Sequence, residues 1–283
     1  MARSCRGDRP RVAIGRRAGR RGVDPGRPVD GPEVAVLNAA DKLYLGTAGW
    51  NVPIACREKV GGEGSHLERY ARAMNATEIN SSFHRSHRRT TYERWARHTP
   101  NAFRFAVKLP KTVTHTAGSA VLELERFIEE SAGLGDKLAI FLLQFPPAKE
   151  FDRQSAGDLF VALQQRSPAA LVCEPRHASW FTPEVDEWLA RHRVSRVAAD
   201  PARAKDADQP GGWKEMRYFR LHGSPRVYYS SYEESALIAL KAQLCKGGAA
   251  IENWCIFDNT ASGAALSNAL SLLADLNTSK ALG

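Results

Sequence analysis

A short apolar run that stops at a cluster of reactive side chains recurs along this chain, and it restricts the possible folds more than any other feature. The fullest case is Leu171-Val172-Cys173-Glu174-Pro175-Arg176-His177-Ala178-Ser179-Trp180. Gln144 follows Ala139 to Leu143, Asp200 follows Val194 to Ala199, Arg220 and His222 interrupt Tyr218 to Leu221, and Asp258 follows Cys255 to Phe257. Near-continuous apolar runs of this length read as strands buried on both faces, as in a parallel sheet covered by helices. Strands that all end in polar tips predict a barrel whose C-terminal ends share one mouth.

Helical stretches fall between the runs. They are predicted over Ser65 to Met74, Thr90 to His98, Leu122 to Ala132, Ser155 to Gln165, from Thr182 onward, Glu233 to Cys245 and Ala261 to Ala274. Ser65 and Glu68 have the spacing of a capping box, and Thr182-Pro183 reads as an N-cap followed by proline in the first turn. Ala202 to Lys214 carries Gly and Pro where a sixth helix is due, so an irregular segment able to cover the mouth is expected. The 283 residues accommodate one barrel of about 250 residues and not a second full domain. The predicted architecture is α/β, a single-domain (β/α)8 TIM barrel over residues 42–283.

Residues 1–41 are rich in Arg, Gly and Pro without periodicity, and are expected to form a disordered basic leader. Much of the formal charge of +9 is concentrated there: Met1 to Lys42 holds ten Lys and Arg against five Asp and Glu. The body is only mildly basic, which weakens a nucleic-acid or membrane-surface reading of the charge. The five cysteines have no paired spacing, which argues against a disulfide framework or a cysteine zinc site and for a reducing, cytoplasmic setting. No run approaches the roughly 20 apolar residues that cross a bilayer, so no membrane is expected.

The two-residue period of a strand assigns faces. In Ala76 to Phe83, Glu78, Asn80 and Ser82 share the face opposite Ile79 and Phe83. In Phe103 to Lys108 the same phase turns Arg104, Ala106 and Lys108 inward, and in the seventh strand it turns Arg220 and His222 inward. Lys108 is open to two roles, a ligand for an anionic substrate (or a Schiff-base amine if desolvated) and a salt bridge to Glu78 or Glu174. Gly46-Thr47-Ala48-Gly49-Trp50 ends the first strand in glycines that permit a tight turn or close approach of a ligand.

Seven stretches occur together and in order: Gly46-Thr47-Ala48-Gly49-Trp50, Thr77-Glu78-Ile79-Asn80-Ser81-Ser82-Phe83, Phe103-Arg104-Phe105-Ala106-Val107-Lys108, Gln144-Phe145-Pro146-Pro147, Arg176-His177-Ala178-Ser179-Trp180, Arg220-Leu221-His222-Gly223 and Asp258-Asn259-Thr260. Over about Leu43 to Leu273 the chain resembles the YecE-like family, catalogued as domain of unknown function 72. The resemblance implies a TIM barrel and no established activity. The chain departs from the usual pattern over Asn51 to Gly64, at His84, at Cys173-Glu174-Pro175 and at Asp258.

These residues lead to an expected enzyme of a small anionic or polyhydroxylated metabolite, worked by acid/base chemistry at the barrel mouth. Glu78, Glu174, Asp200 and His222 are the candidate catalytic groups, with Glu174 and His222 as the acid/base pair. Lys108 and Arg220 are expected to clamp the anion, Trp50 and Trp180 to form a stacking wall, and Asn80, Gln144, Arg176, His177 and Asn259 to contact substrate. No cofactor is required. A Mg²⁺- or Mn²⁺-dependent isomerase or hydrolase using Glu174, Asp200, His222 and Asp258 is the alternative from the same residues. A third reading, from a different class, is a nucleic-acid-associated protein using the leader and the Arg85 to Arg97 patch, although that patch reads more simply as a solvated helix face.

Overall fold

The computed structural model describes residues 42–115, 121–246 and 250–281; the predicted basic leader lies outside them. All described residues fall within one compact unit, Gly31–Gly283. The first five strands are β1 Leu43–Ala48, β2 Ala76–Ile79, β3 Arg104–Lys108, β4 Leu138–Gln144 and β5 Ala170–Glu174, each parallel to the next. β6 (Val194–Arg196) pairs in parallel with β5. One residue later, β7 (Ala198–Asp200) pairs instead with β9 (Met216–Leu221), which pairs with β10 (Glu252–Phe257), and β10 returns to β1. The sixth barrel strand is therefore one strand in two halves, and it closes the ring.

The break has a local cause. A two-residue strand, β8 (Gly211–Gly212), lies antiparallel to β6, with Gly212 opposite Ser195. It fits there because Gly212 has φ +69° and because a Cβ at that position would lie 2.4 Å from the Val194 carbonyl oxygen. The segment preceding β8 is irregular, as expected for the place of the sixth helix. It does not cover the mouth in its second half: Ala199 N donates to Ala207 O at 2.8 Å, and from there the chain descends beside β6. Arg196 fastens it, donating to the carbonyls of Asp206 and Gln209 and to both oxygens of Asp186.

Outside the ring are α1 Arg57–Val60, α2 His66–Ala73, α3 Arg89–Arg97, α4 Lys111–Thr114, α5 Val121–Ser131, α6 Arg153–Gln164, α7 Pro183–Arg191, α8 Glu234–Cys245 and α9 Ala264–Ala281. The predicted caps form: Ser65 Oγ accepts from Glu68 N while Glu68 Oε2 accepts from Ser65 N, and Thr182 Oγ1 accepts from Val185 N. No helix among the described residues is long and apolar enough to cross a membrane.

Strand alternation produces two apolar layers. Residues such as Phe105, Phe141, Leu143, Leu171 and Phe257 pack outward against the helices. Ala76, Ala106, Ile140, Leu142, Val172, Tyr218, Trp254 and Ile256 fill the barrel interior. β2 is shorter than predicted, because the chain turns into a 3-10 helix at Ser81–Phe83, where Ser82 Oγ donates to Ile79 O and Lys108 O.

Trp180, expected at the mouth, belongs to the outward layer. It is 1% exposed, stacks on Phe145 with centroids 4.8 Å apart, and donates from Nε1 to Lys149 O. A side chain three residues beyond a turn is not governed by strand phase, and this one is drawn into the nearest apolar layer. Truncating it leaves a cavity, so Trp180→Ala should lower the unfolding free energy by about 3–5 kcal/mol in a urea titration.

Candidate functional site

The interior apolar layer ends where the next inward position on each strand is reached. Above Ala76 stands Glu78, above Ala106 Lys108, above Leu142 Gln144, above Val172 Glu174, above Tyr218 Arg220 and then His222, and above Ile256 Asp258. All seven are buried. The barrel thus carries a charged layer directly over an apolar one.

Arg220 organises that layer and is 0% exposed. Its Nε and Nη2 donate to the two oxygens of Glu78 at 2.9 and 2.7 Å, a bidentate pair. Nη1 donates to Glu174 Oε2, and Nη2 also donates to Asp258 Oδ2 at 2.9 Å. Tyr218 OH donates to Glu78 Oε2 at 3.0 Å. Arg176, just beyond β5, donates to Glu174 Oε1 from Nε at 3.2 Å and from Nη2 at 3.1 Å. His222 Nδ1 lies 3.0 Å from Asp258 Oδ2, while its Nε2 is buried without a hydrogen bond, 3.4 Å from Glu174 Oε1.

The electrostatics follow from these contacts. Burial alone would raise the Glu174 pKa, but Arg220, His222 and Arg176 outweigh it and hold the carboxyl well below its usual range. Asp258 is likewise lowered, burial being overcome by Arg220 and His222. Burial would push His222 down, yet Glu174 and the Asp258 hydrogen bond raise it. Tyr218 is pushed well up by burial and by Glu78.

Lys108 differs from its neighbours. It is 6% exposed, its Nζ lies 4.0 Å from the centroid of the Phe83 ring, and among the described residues its ammonium has no hydrogen bond or ion pair. The expected salt bridge to Glu78 or Glu174 is absent because Arg220 and Arg176 occupy those oxygens. Burial first, and then Arg220, bring its pKa down to about 8 against the pull of Glu78, Glu174 and Asp258.

Two expected roles change accordingly. Arg220 does not offer a free fork to a substrate anion, since three carboxylates of the chain hold it. Glu174 accepts from both Arg220 and Arg176, which holds it in its anionic form. Asp200 faces away from the inward position of Ala199 and accepts from Tyr232 OH at 2.5 Å, tying β7 to the loop after β9. Asn259, 0% exposed, donates to Ser230 O and Asn268 Oδ1, both at 2.9 Å, and so fastens loops together. His177 Nδ1 accepts from Ser179 N and caps the turn leading to Trp180.

Trp50 and Asn80 stand at another part of the rim. They line a cleft of about 610 Å³ together with Thr47, Gly49, His66 and Thr260, and Trp50 packs edge-on against Trp95 at 4.8 Å. The lining excludes Lys108, Arg220 and His222. Residues not singled out from the sequence also shape the site: Tyr218 beneath Glu78, Phe83 under Lys108, and Tyr228, whose ring meets His222 at 5.7 Å. Tyr218 shares the inward phase of Arg220, but Tyr228 is on a loop where no periodicity applies.

The family model described as "Protein of unknown function DUF72" matches residues 44–282. The chain belongs to the DUF72 family. It is similar to the UPF0759 protein YunF of Bacillus subtilis strain 168, with 24% identity over 149 residues, 50% of this chain and 53% of that protein. It is also similar to the UPF0759 protein YecE of Escherichia coli K12, with 27% identity over 106 residues, 37% of this chain and 38% of that one. The matched regions thus span about half, or less, of these relatives. A DUF72 protein of Thermotoga maritima MSB8 superposes with a TM-score of 0.66 at 23% identity, covering 83% of this chain and 99% of that one. A DUF72 protein of Enterococcus faecalis V583 gives 0.66 at 19%, covering 83% and 97%. The barrel predicted from strand tips is the fold of these DUF72 structures.

Removing the central guanidinium would strand three buried carboxylates. Arg220→Met should cost about 3–5 kcal/mol of stability near neutral pH, measured by urea unfolding. Glu174 and Asp258 have folded pKa values below their unfolded ones, so their stabilisation is present above the unfolded values and is lost as pH falls through the folded ones. The gap between the wild type and Arg220→Met should therefore narrow below about pH 4.

Proposed function

We propose that the barrel mouth is the active site of an enzyme acting on a small anionic or polyhydroxylated metabolite by acid/base chemistry. His222 is the proton carrier, and Lys108 and Arg176 face the anion. The observation that carries this reading is Lys108, a 6% exposed lysine at the top of the barrel whose ammonium makes no hydrogen bond or ion pair among the described residues, while Arg220 and Arg176 engage the carboxylates of Glu78 and Glu174. An incoming carboxylate or phosphate would give that ammonium a charge-assisted hydrogen bond. Lys111 and His115 follow Lys108 at the same rim, and the field of Lys108 and Arg176 reaches His115, whose pKa falls through burial and then through these cations. His222 has its pKa raised above the ordinary histidine value, with Nδ1 on Asp258 and Nε2 beside Glu174, so it carries a proton more readily than a free imidazole. Gln144, beside Glu174 in the β4–β5 register, and Tyr228 offer contacts to hydroxyl groups.

The metal-dependent alternative is less well supported. Glu174 and Asp258 point at Arg220, Asp200 turns to Tyr232, and among the described residues no group of three His, Cys, Asp or Glu is arranged to hold an ion. The Arg85 to Arg97 patch is an exposed face of α3 with Tyr92 buried behind it and Arg89 paired to Glu93, as a solvated helix would be.

The test is a binding screen with inorganic phosphate, sugar phosphates and small dicarboxylates, followed by calorimetry. Lys108→Met and Arg176→Met should each weaken the Kd of the best ligand by about tenfold or more. Binding should also weaken as pH rises through about 8, where Lys108 gives up its proton. Ligand binding that is indifferent to both substitutions would remove the reading.

A further inference from the structure

We infer that Lys108 is the nucleophilic amine of this site, forming an imine with the carbonyl carbon of a small anionic aldehyde or ketone. The inference rests on the proposed active site and narrows its substrate class. A lysine becomes a nucleophile when an apolar wall strips its ammonium of water or when a second cation stands beside it. Lys108 meets both conditions: the residue is 6% exposed with no ion pair on its Nζ, and Arg220 stands within the same charged layer.

Its surroundings also explain why it is not simply a structural cation. The groups that act on it are Arg220 from β9, Glu78 from β2, Glu174 from β5, Asp258 after β10 and His115 after α4. Three of these are carboxylates, and each is engaged by Arg220 together with Tyr218, Arg176 or His222. They pull the Lys108 pKa up, but burial first and then Arg220 outweigh them and bring it down to about 8.

The step balances with groups already in the layer. The Nζ lone pair adds to the carbonyl carbon, and the C=O π pair moves to oxygen. One proton from Nζ and one from protonated His222 then leave with that oxygen as water, as nitrogen forms its second bond to carbon. The products are a protonated imine, neutral His222 and water, and no oxidant or reductant takes part. In this proposal Arg176, whose side chain is 19% exposed beside Glu174, holds the carboxylate or phosphate of the same molecule, and His222 takes a proton from the carbon next to the imine.

The experiment treats the full chain at neutral pH with glyoxylate and sodium cyanoborohydride, and maps reduced adducts by peptide mass spectrometry. Lys108 should be labelled about tenfold or more faster than the median lysine of the chain, with the neutral aldehyde propanal showing a weaker preference for it. Arg176→Met should abolish the preference for glyoxylate over propanal at Lys108, an effect that a merely acidic lysine would not show. Lys108→Arg, checked for folding by its thermal transition, should lose the fast adduct. Labelling spread evenly over the lysines of the wild type, which requires no variant, would overturn the inference. If that result came with anion binding still sensitive to Lys108, only the imine would fall; if no anion bound, the proposed function would fall with it.

Discussion

Three carboxylates from three separate elements converge on the buried guanidinium of Arg220, and the top of the barrel depends on that convergence. Glu78 comes from β2, Glu174 from β5 and Asp258 from the residue after β10, so one side chain on β9 joins distant parts of the ring. Burying so many charges is favourable only if they satisfy one another. Here they do, because the guanidinium fork offers donors in several directions while each carboxylate has a second partner in Tyr218, Arg176 or His222. Such a network adds little net stability over an apolar core of the same volume, but it holds the strand ends in one relative position. The reactive groups beside it are thereby held on rigid elements.

The same saturation decides which side chains remain chemically available. Carboxylates that might have served as acid or base become fixed anions, and a guanidinium that might have bound substrate becomes their counter-ion. The ammonium of Lys108 stays outside the network, and the partly exposed Arg176 stands at its rim. Lys108 on β3 and Arg220 and His222 at the end of β9 come from opposite sides of the ring and meet in the charged layer over its centre. The cleft along β1 and β2, lined by Trp50 and Asn80, is a separate feature of the rim.

Much of this was legible in the sequence, for a specific reason. Strand phase is a local property, so Glu78, Lys108, Gln144, Glu174, Arg220 and His222 could be turned inward from the spacing alone. The period also contains the answer for Asp200, which follows the inward Ala199 and so must face the other way. What phase cannot supply is pairing. The spacing leaves Arg220 open between an anion clamp and a salt-bridged network that closes the barrel top, and only the folded ring brings three carboxylates to it. Side chains beyond the strand ends are worse still: Trp180, His177, Asn259 and Tyr228 lie on turns whose direction depends on tertiary packing. The split sixth strand depends on Gly211 and Gly212 returning beside β6, a contact made only after the chain has folded back.

Charge balance within the layer gives the arrangement a further consequence. Glu78, Glu174 and Asp258 oppose Arg220 and Arg176, which leaves one negative charge to be met by a proton on either Lys108 or His222. The state with Lys108 protonated and His222 neutral has the same total charge as the state with Lys108 neutral and His222 protonated. Moving the proton between them leaves the net charge of the buried layer unchanged, so the dominant cost of titrating a buried site is largely avoided. The two shifts agree with this, since the layer lowers the affinity of Lys108 for a proton and raises that of His222. A free amine together with a protonated imidazole is the combination that attack on a carbonyl and departure of its oxygen require. Substituting an uncharged residue for Asp258 would break this equivalence by removing the anion that faces both Arg220 and His222.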